Sequence, residues 1–474
     1  MSEVQNFLKK NSNKEVVVVQ GLGFVGSVMS IVCANALKGD YAVIGIDRDT
    51  KTGNEIIDKL NAGKFPVKAE DPNIYELMDS MRIKDNFIAT HDSSAFKYAN
   101  VIIVDINLDV RKKNSFDGRL EDYDVDLEPF KEAIRTIGAF CKENALILVE
   151  TTVPPGTCEN IVKPIIFKGL KDRKLSTKKI KIGHSYERVM PGPDYVDSIR
   201  NFYRVYSGIN EASEVAVKNF LKTIIKTNTY PLTKLSNTNA TELAKVLENS
   251  YRAMNIAFMV EWSRFAESAN IDLYSVIDAI KLRPTHNNMM FPGVGVGGYC
   301  LTKDALLASW SKKEIFDKGK PLFQSESAVN INDQMPFFAY EYLKKNTKVK
   351  NKRVTLLGVS YRGDVGDTRS SPVERLHSFL IEDQCKISCH DPYVKYWNEK
   401  NIDVESDLDK IISLPADIII ITAAHSIYRN NNFIEKINNL ESRFIYDTIG
   451  LLSEIDIIRL RKNHTIKVLG RGDL

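Results

Sequence analysis

Val16-Val17-Val18-Val19-Gln20-Gly21-Leu22-Gly23-Phe24-Val25-Gly26 reads as a buried strand running directly into a glycine turn. Four consecutive β-branched residues suit a strand covered on both faces, and residues 27–37 that follow are compatible with a helix. A helix opening here would offer unsatisfied backbone N–H groups and a positive dipole end to a pyrophosphate, while the glycines let the phosphates approach the backbone. A bare GxGxxG pattern carries little weight. Here it follows a strand, opens a helix, and is followed 21 residues after Gly26 by Asp47 at the end of the next apolar run. An acid in that place accepts from the adenosine ribose hydroxyls and repels a 2′-phosphate, so NAD is expected rather than NADP, with the neighbouring Arg48 the feature that runs against it. Gly21, Gly23, Gly26 and Asp47 are the expected cofactor-binding residues.

Outward from this turn, short apolar runs at 43–46, 101–104 and 146–149 alternate with helical stretches, the rhythm of a parallel sheet flanked by helices. A second series occupies 354–357, 418–421, 444–446 and 466–469. Between about 211 and 333 strand signals vanish and amphipathic stretches dominate, the clearest at 241–267. The expected fold is therefore α/β, with two doubly wound Rossmann-like domains joined by an all-helical central domain containing a long helix. The expected boundaries are 1–210, 211–333 and 334–474. Leu243, Val246, Leu247, Met254 and Met259 exceed what one packed helix face requires, so a homodimer through this helix is expected.

At 474 residues and 43% hydrophobic, the chain can bury several cores. Its 65 basic and 61 acidic residues leave a net charge of +4, which demands neither a nucleic acid nor an anionic membrane as partner. The lysine-rich run 168–181 reads as a solvated face. Apolar stretches fall far short of the roughly 20 residues that span a bilayer, and the polar N-terminus does not read as a signal peptide. Cys33, Cys141, Cys158, Cys300, Cys385 and Cys389 have neither the spacing of a disulfide framework nor that of a zinc site. No metal is expected, a reducing cytoplasm is the natural compartment, and Cys385 and Cys389 read as structural.

Gly293-Val294-Gly295-Val296-Gly297-Gly298-Tyr299-Cys300-Leu301-Thr302-Lys303-Asp304 is the most informative stretch for chemistry. Its glycines permit close backbone approach, and a cysteine entering a helix gains thiolate stability from the dipole and nearby cations. Such a thiolate can attack an aldehyde. A cysteine taken alone is by default a small buried apolar residue; Lys303 and Asp304 beside this one weigh against that reading.

With these residues in view, the chain resembles the UDP-glucose/GDP-mannose 6-dehydrogenases along nearly all of its length and in the same order. The resemblance implies an N-terminal NAD-binding domain, a helical dimerisation domain and a C-terminal nucleotide-sugar-binding domain. It also implies a four-electron oxidation of a sugar C6 hydroxymethyl group to a carboxylate in two NAD-dependent steps, feeding polysaccharide synthesis. Cys300 matches the family's nucleophile, through a thiohemiacetal and a thioester. Glu150-Thr151-Thr152-Val153-Pro154-Pro155-Gly156-Thr157 is similar to an element whose second hydroxyl orders the catalytic water, a role that falls to Thr152 beside the cofactor. Glu187 sits where the family has its catalytic glutamate, although Tyr186 replaces the usual proline. Lys245 and Asn249, four apart on one helix face, and Asp304 complete the implied catalytic set, and Lys303 joins the cofactor contacts.

Glu187, Arg188, Lys245, Asn249 and Gly297 are the implied sugar contacts. In Tyr361-Arg362-Gly363-Asp364-Val365-Gly366-Asp367-Thr368-Arg369, Arg362 stands at a usual lysine and is expected to meet the UDP phosphates, and Arg369 matches an arginine that reaches the cofactor. Two departures stand out: Asp105-Ile106-Asn107-Leu108-Asp109 and a polar excursion to Asp126 replace a short threonine-proline turn, and His286 or Arg283 stands near an arginine that relatives send into the partner subunit's site. The form Glu187-Arg188-Val189-Met190-Pro191-Gly192 is similar to the branch acting on UDP-N-acetylhexosamines. UDP-N-acetylmannosamine or UDP-N-acetylglucosamine is accordingly the expected substrate, ahead of UDP-glucose and then GDP-mannose. Two other classes are weighed: an inactive sugar-nucleotide-binding protein, which would not need Cys300, Lys245, Asn249 and Asp304 together, and a one-step hydroxyacid dehydrogenase, which would need neither Cys300 nor a second α/β domain.

Overall fold

The computed structural model describes residues 2–67, 71–189 and 192–474. The chain forms two compact units, each assembled from three stretches. Met1–Val110, Val125–Val246 and Trp310–Gly319 make the first; Arg111–Asp124, Leu247–Ser309 and Lys320–Leu474 make the second.

The first unit is built on β1 (Glu15–Gln20), β2 (Tyr41–Ile46), β3 (Phe87–Thr90) and β4 (Val101–Val104). The chain then makes a hairpin of β5 (Val110–Asn114) and β6 (Leu120–Val125), and returns to add β7 (Leu146–Val149), β8 (Lys181–His184), β9 (Val205–Gly208) and β10 (Thr233–Lys234). The sheet order is β10-β9-β8-β7-β4-β1-β2-β3, parallel from β3 to β8, with β9 antiparallel to β8. Every residue of β2, β4 and β7 is buried, as strands with both faces covered require. Chain order reverses between β1 and β4, and the C-terminal ends of these strands form the crevice where doubly wound sheets take ligands.

In the second unit β11 (Arg353–Leu357), β12 (Lys386–His390), a ribbon of β13 (Tyr396–Trp397) and β14 (Ile402–Asp403), β15 (Ile418–Ile421), β16 (Phe444–Asp447) and β17 (Thr465–Val468) follow in sequence. The five long strands form a parallel sheet in the order β12-β11-β15-β16-β17, with its own reversal between β11 and β15. The long helix Thr238–Ala269 has 32 residues, roughly 48 Å at 1.5 Å per residue. Its residues through Val246 belong to the first unit and the rest to the second.

The α/β class, the two parallel sheets and the long helix agree with the sequence reading. Three details differ. The helix after the glycine turn begins at Phe24, three residues before the expected start, so the last glycine of the pattern lies inside it. The region expected to lack strands contains β10, a two-residue strand added beside β9. The polar excursion is a β-hairpin of the second unit. Lys112 Nζ lies 2.6 Å from Asp333 Oδ2, Asn114 Nδ2 donates to the same oxygen at 3.0 Å, and Leu120 N donates to Asn330 Oδ1 at 2.8 Å. Phe116 packs edge-on against Phe379 with ring centroids 5.1 Å apart.

On the long helix Val246 and Met259 are buried within the chain, while Leu247, Tyr251, Phe258, Trp262 and Phe265 form an exposed stripe. Trp262 touches both Phe258 and Phe265, with ring centroids 5.9 and 5.8 Å away.

Candidate active site

The glycine turn is shaped for a dinucleotide. Gly21 has φ +94°, and a Cβ on it would lie 2.3 Å from the Asp105 carbonyl oxygen; a Cβ on Gly26 would lie 1.7 Å from the Gly21 carbonyl oxygen. Both must be glycine. Around Gly23 a Cβ would meet none of the described residues within 4 Å, which leaves space where phosphate would approach. Gly23 is also the N-cap of the helix Phe24–Ala34, with no side chain to occupy its first N–H groups. Asp47, just past β2, accepts from Leu22 N at 2.8 Å through Oδ2 and from Arg48 N at 2.7 Å through Oδ1. Its carboxylate is thus held beside the turn, with lone pairs remaining for ribose hydroxyls. Arg48 is exposed. These residues fit NAD.

Also in the first unit, the loop after β7 is buried from Glu150 to Cys158 except at Thr152, which is half-buried. Thr151 Oγ1 accepts from Ile106 N at 2.8 Å and donates to Val104 O at 3.0 Å, tying this loop to the end of β4. Behind it Glu150 and Arg204 form a fully buried ion pair. Burial pushes the Glu150 and Asp105 carboxyls up, against the pull of Arg204.

After β8, Glu187 is mostly buried. Lys245 Nζ donates to its backbone carbonyl at 2.9 Å and stands 4.0 Å from its carboxylate, over the Tyr186 ring at 5.2 Å. One turn back on the same helix, Thr241 Oγ1 meets Ser207 Oγ at 2.7 Å and the Nδ1 of His184 at 2.9 Å. Burial depresses the His184 pKa to about 3, so the ring is neutral. Arg188 stacks on Tyr186 and Phe202 at 5.7 and 5.2 Å. Met190 and Pro191, which close this motif, lie outside the described residues.

In the second unit the glycine stretch threads beneath the loop that follows β11. A Cβ on Gly297 would lie 2.3 Å from Tyr361 Cβ and 2.9 Å from the Ser370 carbonyl oxygen, and one on Gly298, at φ +79°, 2.9 Å from the Tyr361 ring. Gly298 N donates to Arg369 O at 3.1 Å. This closeness puts Cys300 within electrostatic reach of the Arg369 guanidinium, which pairs through Nε and Nη2 with Asp367 at 2.9 and 2.7 Å. Cys300 is exposed, and its carbonyl accepts from Asp304 N at 3.0 Å as the helix Asp304–Ser311 begins. The fully buried Asp304 takes Asn249 Nδ2 on one oxygen at 2.6 Å and Lys303 Nζ on the other at 3.0 Å. Arg362 is exposed, and so is Arg283, while His286 is half-buried on a short turn.

The other five cysteines are buried, and burial raises each of their pKa values, that of Cys389 to about 12. Of the residues singled out by sequence, the structure joins Glu187 to Lys245 in the first unit, and Asn249 and Lys303 to Asp304 in the second. Sequence reasoning missed Glu242, Glu150 and Arg204. Each is a charged residue buried in the first unit, and no local pattern announces a partner tens of residues away.

The chain matches three family models: the UDP-glucose/GDP-mannose dehydrogenase family NAD binding domain over residues 15–226, its central domain over 239–334 and its UDP binding domain over 355–454. It is 30% identical over 474 residues to a UDP-N-acetyl-D-mannosamine dehydrogenase of Methanocaldococcus jannaschii, covering 98% of each chain. Among solved structures it is similar to a UDP-D-ManNAc dehydrogenase from Pyrococcus horikoshii, with TM-score 0.79, 25% identity and coverage of 97% of this chain and 100% of that one. It shares the fold of an NDP-N-acetyl-D-galactosaminuronic acid dehydrogenase from Methanosarcina mazei, with TM-score 0.79, 24% identity and coverage of 100% and 99%. A glycine turn built for NAD, a second parallel sheet and matches along nearly the whole length lead to one conclusion: the chain belongs to the UDP-glucose/GDP-mannose dehydrogenase family and is an NAD-dependent nucleotide-sugar dehydrogenase.

Proposed function

We propose that the chain oxidises the C6 hydroxymethyl group of UDP-N-acetylmannosamine to a carboxylate, with Cys300 as covalent nucleophile. The observation that carries the covalent route is that Cys300 is the exposed thiol of the six, in the turn that leads into the helix Asp304–Ser311 and within electrostatic reach of the Arg369 guanidinium. The sugar assignment is supported by relatives named for UDP-N-acetyl-D-mannosamine. UDP-N-acetylglucosamine is the nearest competitor.

When bound, NAD accepts one hydride from C6 in each of the two oxidation steps. In the first, the C6 hydroxyl proton passes to water or Lys245 and an aldehyde forms. The Cys300 thiolate adds to the aldehyde carbon, and the oxyanion of the thiohemiacetal takes hydrogen bonds from Lys245 and Asn249, which project from one face of the long helix. The oxyanion then re-forms a C=O bond as the second hydride leaves C6, which gives a thioester. Water ordered by Thr152, Glu187 and Asp304 attacks it, the C–S bond breaks, and the carboxylate and thiol separate. Glu187, Arg188, Asn249 and Gly297 hold the sugar, Arg362 the phosphates, and Lys303 and Arg369 the cofactor. Domains 1–210, 211–333 and 334–474 carry NAD binding, dimerisation and UDP-sugar binding. The exposed aromatic stripe of the long helix supports a homodimer.

Incubating the protein and NAD with a panel of UDP- and GDP-sugars tests the reading. Two NADH per UDP-N-acetylmannosamine consumed, with an acid product, is expected. Higher kcat/KM on UDP-glucose would reassign the substrate, and turnover of none would favour a binding protein.

A further inference from the structure

The long helix places a buried carboxylate where the mechanism above has no use for one. Glu242 is fully buried, one turn before Lys245. It accepts from Gly156 N through Oε2 at 2.6 Å and from Cys158 N through Oε1 at 2.8 Å. Its carboxylate is met by backbone N–H groups and the Cys158 thiol rather than by a cation, and burial pushes it up to about 7. Burying such a group costs stability, and its bonds tie the N–H groups of a distant loop to the long helix.

What they hold is the far end of the Thr152 loop. Between Thr152 and Gly156 stand Val153, Pro154 and Pro155, and two adjacent prolines fix φ near −65°, so a shift at Gly156 is carried along the loop rather than absorbed. Gly156 itself is at φ +93° with the Asn160, Ile315 and Phe316 side chains packed against it. Ser311 Oγ donates to Pro155 O at 2.6 Å, pinning the same segment from another side. Within this buried run Thr152 is the most exposed residue. We infer that Glu242 is a positioning residue for thioester hydrolysis, fixing the Thr152 hydroxyl relative to Lys245 by clamping Gly156 and Cys158 to the helix that carries Lys245. This rests on the role proposed for Thr152. The ionised carboxylate accepts on both oxygens, whereas a glutamine in its place always turns an N–H toward one of the two converging donors.

The test separates the two oxidations from the hydrolysis. In rapid-mix experiments with NAD and the UDP-sugar substrate, Glu242→Gln is expected to release the first two NADH per site within about threefold of the wild-type rate. Steady-state kcat should then fall roughly tenfold or more, with the acyl adduct on Cys300 accumulating in the intact-mass spectrum. Glu242→Asp, which keeps both acceptors, should recover part of the hydrolysis rate. Thr152→Ala runs in parallel: if it accumulates no adduct, the Thr152 role fails. If Thr152→Ala accumulates adduct and folded Glu242→Gln does not, or if Glu242→Gln slows all steps alike, the inference is overturned. Loss of folding in both Glu242 variants would assign the carboxylate to the fold alone and overturn it as well.

Discussion

At the scale of single residues, what distinguishes Cys300 is its exposure among five buried thiols. A mild alkylating reagent should therefore modify one cysteine per folded chain, and peptide mapping should find it at 300; labelling of Cys33 or Cys158 in the native protein would contradict the burial that raises their pKa values. Cys300→Ser should keep UDP-sugar binding but lose acid production by orders of magnitude, releasing at most one NADH per site, because a serine hydroxyl is a far poorer nucleophile at neutral pH. Steady acid formation near the wild-type rate would make the cysteine structural. The Cys300 environment was legible in the sequence because its glycines, Lys303 and Asp304 are neighbours in the chain. Glu242 was not, because its meaning lies in two N–H groups more than 80 residues away.

At the scale of elements, the strands that could be read were those whose runs of Val, Leu and Ile are buried on both faces, such as β1, β4 and β15. Those missed are short or mixed in polarity: Lys181-Ile182-Gly183-His184 in β8 and Val205-Tyr206-Ser207-Gly208 in β9 lie in the same sheet but carry little local signal. The β5–β6 hairpin was hidden for a related reason. Its Phe116 and Lys112 meet partners more than 200 residues later, at Phe379 and Asp333, so its own composition reads as a polar loop. The glycine stretch yields a sharper expectation. Gly297→Ala brings a Cβ onto the Tyr361 Cβ and the Ser370 backbone, neither of which is a flexible side-chain end. The substitution should push Cys300 out of register and cut kcat/KM at saturating NAD at least tenfold, about 1.4 kcal/mol. Wild-type activity in this variant would mean that the loop after β11 yields freely.

For the molecule as a whole, the stripe from Leu247 to Phe265 predicts a dimer in sedimentation at micromolar concentration, and Trp262→Glu should shift it toward monomer without lowering the melting temperature of the chain's own cores. A monomeric wild type would mean that the stripe is tolerated in water. Buried carboxylates set a pH signature. Glu267 is pushed up to about 7 by burial, above its unfolded value of 4.5, so the folded state holds a proton there that the unfolded state has released. Its contribution to stability is therefore present at low pH and lost as pH rises from about 4.5 through 7. Glu267→Gln should be more stable than wild type near pH 8, by roughly 1 to 3 kcal/mol, with the difference vanishing near pH 5 in chemical denaturation. A pH-independent difference would mean that the carboxyl does not titrate in that window.

The path of the chain has one more effect. The stretch 111–124 leaves the first unit to become part of the second, and 310–319 makes the opposite excursion, so neither unit is a single run of sequence. Cutting the gene between them cannot yield two self-sufficient proteins. A fragment ending at 246 would lack Ser311, which holds Pro155, and would expose Phe116 without Phe379 to cover it. Gene fusion, domain exchange with a relative and circular permutation are all constrained by the same thing: the inheritable piece is the whole polypeptide.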